Sequence, residues 1–399
     1  MKTILHCLLF ASLSLFIGCA TDDDTGGSGS DGSILAETLP CRIEGDLTLT
    51  DRNPDGADYL IDCRELEIFG GRVTVEPGTT IQLTDGSSVE VAQGGRLAAV
   101  GTADAPIRFV GTSGGTDPSW GYLYFNSSNA GNRLEHVLVE NGGAEDLLFF
   151  ERTAIALQGK LAMNHVTVRY SGGNGLTSNT PLEPVEITEF RNNIFADNDG
   201  APVSVTPNEV GSMDLATCIF TDNGDNVIRV GRDVSANARL GVESTWPAAP
   251  VPYNIYKATD ILVGLTVEAG AELVFNSGAY LDVVTYSSDN PYLAVDGTAD
   301  QPVIMRGEVS LPGAWPGLLV QTSNARNVFD HLDISDGGEI FNTLFEVGRG
   351  NITLFNDNAR LTLNDCTSTR ADCDVVLDNQ LGEVELINNS PAITVICEN

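Results

Sequence analysis

Three histidines, His136, His165 and His331, are the residues beyond the first 34 whose type most readily does acid–base chemistry. All three occupy one recurring place. EHVLVENGG, NHVTVRYSGG and DHLDISDGG each set the histidine just before an apolar run. Asn193 in NNIFADNDG and Cys218 in TCIFTDNGD fill the matching place. A unique catalytic group does not recur with substitutes, so the position reads as a turn corner and no catalytic residue is assigned. Carboxylates come next. Asp197 and Asp199, then Asp222 and Asp225, fall in turns of successive units, with Glu140 before a similar turn and Arg169 and Arg229 nearby. Stacked turns of this kind gather oxygens suited to a divalent cation or a sugar. Ordinary Asx turns use the same residues, and that reading is preferred.

The sharpest metal pattern is DRNPDGADYLID, residues 51–62. Asp51, Asn53, Asp55 and Asp62 stand at positions 1, 3, 5 and 12 of a calcium-loop spacing, with Gly56 at 6. Asp58 falls where such loops place an apolar residue, the flanks read as strands, and NPDG is also a strong turn. Calcium is thus the one cofactor candidate, and nothing requires a cofactor. Trp120 and Trp315 recur in matching contexts and read as structural anchors rather than sugar platforms.

The elements that carry these residues are short strands. LTLT (47–50), YLID (59–62), LEIF (66–69), VTVE (73–76), TIQL (80–83), SVEV (88–91) and RLAAV (96–100) alternate apolar and polar positions between Gly-, Asp- and Pro-containing turns. No stretch carries helical periodicity. Strands so short and regular predict stacked coils rather than a sandwich.

The chain repeats on two scales. GTAD at 101–104 returns at 297–300, Trp120 returns as Trp315 and His136 as His331, with offsets 297 − 101 = 196, 315 − 120 = 195 and 331 − 136 = 195. Ordered blocks at a near-constant offset indicate a tandem duplication. The smaller repeat, of 25 to 29 residues from His136 to Cys218, is about one coil of three short strands.

Composition bounds the partners. The 399 residues carry a formal net charge of −34 and are 42% apolar. That charge argues against nucleic acid, which needs clustered Lys and Arg, and solvates the surface. Residues 1–18 combine a basic start with an apolar run too short to span a membrane, as in a secretory leader. The run closes on Phe16-Ile17-Gly18-Cys19, which resembles a bacterial lipobox, although that pattern prefers Leu where Phe16 stands. The resemblance implies a lipid on Cys19 and anchoring to the membrane without insertion. The polar stretch 19–33 reads as a flexible tether. Its Asp22-Asp23-Asp24 resembles acidic signals that send lipoproteins to the outer face of the outer membrane. Eight cysteines occur, and an exported chain permits disulfides. Cys41–Cys63 is expected to be bridged, with one further bridge among Cys366, Cys373 and Cys397.

The run TVEPGTTIQL…GGRLAAVGTADAPIRF, followed by LEHVLVENGG and preceded by ADYLIDC, resembles bacterial right-handed parallel β-helix proteins of the pectin-lyase-like superfamily. The likeness is greatest to their secreted and lipid-anchored surface group and covers roughly 41–399. It implies an all-β, single-stranded, right-handed parallel β-helix solenoid. The expected layout is a cap at 34–65, one cassette at 66–257, and a second cassette with a C-terminal cap at 258–399. The superfamily's pectate lyases pair calcium-binding Asp with a basic residue, and its polygalacturonases use NTD, DD, GHG and RIK. Neither GHG nor RIK occurs here. The expected function is a non-catalytic surface lipoprotein that binds or adheres, with an extracellular polysaccharide or another surface as partner. The alternative is a polysaccharide lyase or glycoside hydrolase. A groove lined by clustered Asp with one Arg or Lys, on one β-helix face, would favour the enzyme.

Overall fold

In the computed structural model the described residues are 35–148, 150–179, 185–231, 238–286, 290–339, 349–355, 358–378 and 384–398. The leader 1–18, Cys19 and the tether 19–33 lie outside them. The chain is an all-β stack of parallel strands, a parallel β-solenoid. Four sheets of 12, 13, 7 and 6 strands form among the described residues. The first begins at Glu37–Thr38 and the second at Arg42–Ile43; the third begins at Ala238–Leu240 and the fourth at Ser244–Trp246. Each strand pairs in parallel with strands of the coils before and after it.

Alternation in the sequence becomes columns in the core. On the second sheet, Leu66, Val89, Leu123, Ile155, Leu176, Val203, Ile228, Tyr253, Leu273, Met305 and Ile334 stack in register. All are buried, and each such side chain contributes about 1.5–3 kcal/mol through burial. The predicted strands form at Leu47–Leu49, Tyr59–Ile61, Glu65–Ile68, Arg72–Val75, Thr80–Leu83, Ser88–Val91 and Arg96–Val100. Val73, Val75, Ile81, Leu83, Val89 and Val91, which the alternation points inward, are all buried.

The recurring histidines are bends. Arg133–Glu140 and Lys160–Arg169 each turn a corner midway, with His136 and His165 at φ 48° and 55°. Their rings stack 4.5 Å apart. His331 bends in the same way at φ 47°. The GTAD glycines answer these bends. A Cβ on Gly101 would lie 2.6 Å from the His136 carbonyl oxygen, and one on Gly297 would lie 2.5 Å from that of His331. The small-repeat alignment needs correction by one residue. Asn192, at φ 56°, continues the corner column, and its amide donates to Thr217 Oγ1. Asn193 and Cys218 face inward instead, in register with Val166. A one-residue slip exchanges the faces of a strand. Asn193 survives inside because Oδ1 accepts the Val166 amide and Nδ2 donates to the Met163 carbonyl.

Segments that recur at the large offset keep this local geometry but change sheet. Ile107–Gly111 belongs to the first sheet and Val303–Gly307 to the second (303 − 107 = 196). Leu123–Phe125 lies in the second sheet and Leu318–Val320 in the third (318 − 123 = 195). The later segments therefore sit one face further round the coil.

The change of phase falls at a joint. A single helical turn, Pro207–Val210, and a 3₁₀ turn, Leu215–Thr217, stand where a strand would. The first sheet ends at Ile219–Thr221, and only the second runs through, by Val203–Val205, Ile228–Val230 and Tyr253–Ile255. Glu209 is buried inside this joint, at 2% exposure. Its Oε2 accepts the Thr206 amide and the Ser178 hydroxyl, whereas Oε1 has no hydrogen-bond partner.

Candidate functional site

Successive coils are unequal at one corner, and the inequality makes a cleft. Between the first and second sheets the corner lengthens from coil to coil. From the first coil to the second, the register offset is 22 residues in the first sheet and 25 in the second. From the third coil to the fourth it is 28 against 34. Tyr122, Glu145 and Asp146, from the longer corners, stand beside the residues of the shorter ones. Here lies an open cleft of about 800 Å³ lined by Asp62, Arg64, Glu65, Asp85, Tyr122 and Glu145 among others. It continues into a hollow of about 570 Å³ past Ser113, Asp117 and Ser119.

The lining is polar and acidic, with Arg64 as the cation among the lining residues. Thr84 donates to Asp62 at 3.2 Å, Ser113 to Asp85 at 3.0 Å and Tyr122 to Glu65 at 3.2 Å. Burial first, then the Glu65 charge, pushes the Tyr122 phenol up to about 12, so it stays a donor. Carboxylate acceptors interleaved with hydroxyls suit a ligand rich in O–H or N–H donors. A polyanion would meet like charge at close range.

A second cluster lies on the outer face of the third sheet. Arg239, Asp260 and Asp282 occupy one column in register. The two aspartates are nearly covered, at 2% and 7% exposure. Tyr286 donates to Asp260 at 3.2 Å, with Arg239 4.0 Å away. Gln321 donates to Asp282 at 2.7 Å. Burial, reinforced by the Asp260 charge and opposed by Gln321, pushes the Asp282 carboxyl up to about 7. A carboxyl raised by burial beside a second one that contacts Arg239 and Tyr286 is an arrangement able to move protons. Sequence reasoning missed this pair. Its signal was one charge inside each of three apolar triplets, ARL, TDI and LDV, 21 and 22 residues apart (260 − 239 and 282 − 260).

The residues singled out in the sequence are dispersed. Asp58 closes the 51–62 loop through backbone hydrogen bonds. Its Oδ1 accepts the amides of Arg52 and Asn53, and its Oδ2 accepts that of Thr80, at 2.6–2.7 Å. Asp62 turns away into the cleft, and Asp51 sits against Gly78. Among the described residues no three His, Cys, Asp or Glu side chains gather closely enough to hold a metal. Asp197 and Asp222 take positive φ at turns, the Asx role. Arg169 pairs with Glu140, and Arg229 pairs with Asp225 and Glu151. Trp120 and Trp315 are wholly buried, each donating to a backbone carbonyl, those of Glu140 and Ser335.

The cysteines divide. Cys373 and Cys397 form a disulfide between neighbouring coils, and Cys366 is a buried thiol. Cys41 and Cys63, expected as a bridge, stand as free thiols at one corner of neighbouring coils. Contact alone does not make the bond, because two electrons must also leave.

No family model, no curated protein and no solved structure matches this chain.

Proposed function

We propose that this chain is an exported, lipid-anchored surface protein that binds a hydroxyl-rich or amine-bearing polysaccharide in the acidic corner cleft without turning it over. The observation that carries the reading is the cleft itself, an open polar groove built by coil corners of unequal length and lined by carboxylates and hydroxyls. Its charge selects neutral or amino-sugar chains over polyuronates. The architecture in this reading is a right-handed β-helix of two homologous cassettes. The repeated GTAD–histidine geometry and the resemblance to pectin-lyase-like surface proteins support it.

The anchor rests on Cys19 at the end of the apolar leader, and the address is the outer membrane of a Gram-negative bacterium. In fractionated cells, Cys19→Ala is expected to move the chain from the membrane to the soluble fraction. Unchanged membrane association would refute the anchor.

The cleft is tested on a glycan array. Neutral and amino-sugar polymers should be retained, and the double variant Glu65→Gln/Asp85→Asn should bind them about tenfold or more weakly, the scale of losing charge-assisted hydrogen bonds. No unsaturated or reducing ends should appear. Two observations favour a second reading, a carbohydrate-active enzyme: the cleft's clustered carboxylates with one arginine, Arg64, and the buried Asp260–Asp282 pair beside Arg239. Sugar release that Asp282→Asn abolishes would establish that reading instead.

A further inference from the structure

We propose that Cys41 and Cys63 are a reversible dithiol–disulfide site, oxidised by exchange with a low-molecular-weight disulfide, and that the bond ties the first coil to the floor of the corner cleft. The two residues lie at the same corner of consecutive coils. Cys41 directly precedes Arg42–Ile43, and Cys63 precedes Glu65–Ile68, the strand paired with it. Cys41 is one of the neighbours that raise the Cys63 thiol. Cys63 also lines the cleft between Asp62 and Arg64, within the three residues by which the second corner exceeds the first. The other free thiols among the described residues, Cys218 and Cys366, are buried at 4% and 1% exposure. A dissolved oxidant therefore meets the Cys41–Cys63 pair first.

The environment assigns an order to the two sulfurs. Cys41 is exposed. Burial first, then its neighbour Cys41, raises the Cys63 thiol, which is also the less exposed of the two, so Cys63 is the poorer first nucleophile. Cys41 loses its proton and attacks the small disulfide; one S–S bond breaks, a thiolate leaves and a mixed disulfide forms on Cys41. Cys63 then attacks the Cys41 sulfur as its own proton departs, and the second thiolate leaves. Two protein thiols are oxidised, one small disulfide is reduced to two thiols, and the two released protons pass to those thiolates. The bond closes the loop 41–63 and pins Cys63, which stands between Asp62 and Arg64 in the cleft lining, to the first coil.

The test treats the reduced native chain with glutathione disulfide and maps peptides by mass. The expected product is a Cys41–Cys63 linked peptide lighter by two hydrogens, with Cys218 and Cys366 unmodified. Cys63→Ser should accumulate a glutathione adduct on Cys41, whereas Cys41→Ser should gain several-fold less on Cys63. Amide exchange over 62–66 should slow several-fold on oxidation and recover with dithiothreitol. Stable glutathione adducts on both residues of the native chain, or a link to Cys218 or Cys366, would overturn the site. Unchanged exchange over 62–66 in the linked form would overturn its effect on the cleft floor. None of these outcomes depends on what the cleft binds.

Discussion

Replacing Trp315 with alanine is expected to destabilise the surrounding coils by about 3–5 kcal/mol, the usual cost of emptying a large aromatic site. Trp315 is wholly buried, and its ring stacks on Phe275 with centroids 4.0 Å apart at 10°. Its indole Nε1 donates to the Ser335 carbonyl at 2.8 Å. The loss thus combines a cavity with a lost buried hydrogen bond, each costly by itself. Trp246 supplies the control. It is equally buried and packs on Tyr253, but its Nε1 has no hydrogen-bond partner. Trp315→Phe should therefore cost at least about 1 kcal/mol more than Trp246→Phe, because only the first removes a made hydrogen bond. In a stack where each coil touches only its neighbours, the damage stays local. Amide exchange over Leu318–Val320 and Leu332–Ser335 is the appropriate readout. Equal costs for the two phenylalanine variants would contradict the account.

Stability should also fall as pH rises from about 4.5 to 7 through two buried carboxyls. Burial pushes Glu209 up to about 7, against hydrogen bonds from Thr206 and Ser178, and pushes Asp282 to about 7 as well. Their ordinary values are 4.5 and 3.8. For each group the folded pKa lies above the unfolded one, so the folded chain binds the proton more tightly. The favourable contribution is complete below the unfolded pKa and is lost as pH climbs through the folded one. Shifts of this size correspond to about 3 kcal/mol for Glu209 and about 4 kcal/mol for Asp282. The other acidic groups of so acidic a chain superimpose their own pH dependence, which a difference measurement removes. Relative to the native chain, Glu209→Gln should gain about 3 kcal/mol of stability between pH 4.5 and 8, seen near the Pro207–Val210 joint. Asp282→Asn should gain similarly in the third sheet. A flat difference across that window would show that the carboxyls are not held neutral by burial.

Much of the fold was legible because the controlling interactions are local. Alternation within four residues places Val73 and Val75 inside wherever the coil lies. The GTAD glycine and the recurrent histidine also mark a contact that repeats, a bent backbone carbonyl resting on a residue without Cβ. What escaped depends on stacking. Asn193 and Cys218 look like substitutes for histidine until the register shows them facing inward. Asp260 and Asp282 read as ordinary outward positions, since their cover comes from chain remote in sequence. The corner cleft is a difference in loop length between coils, and no single stretch encodes it. At 51–62 the closure is local. The loop's oxygens are present, and Asp58 supplies its closure from within.

The central claim, that the corner cleft is a binding surface, is tested most directly by calorimetric titration of the native chain with the best-retained array glycan. Glu65→Gln/Asp85→Asn and Asp282→Asn should be titrated alongside it. The account predicts saturable binding to the native chain, a loss of about tenfold or more in the cleft variant, unchanged affinity in Asp282→Asn, and intact glycan recovered afterwards. Native affinity in the cleft variant, with binding lost in Asp282→Asn, would contradict it.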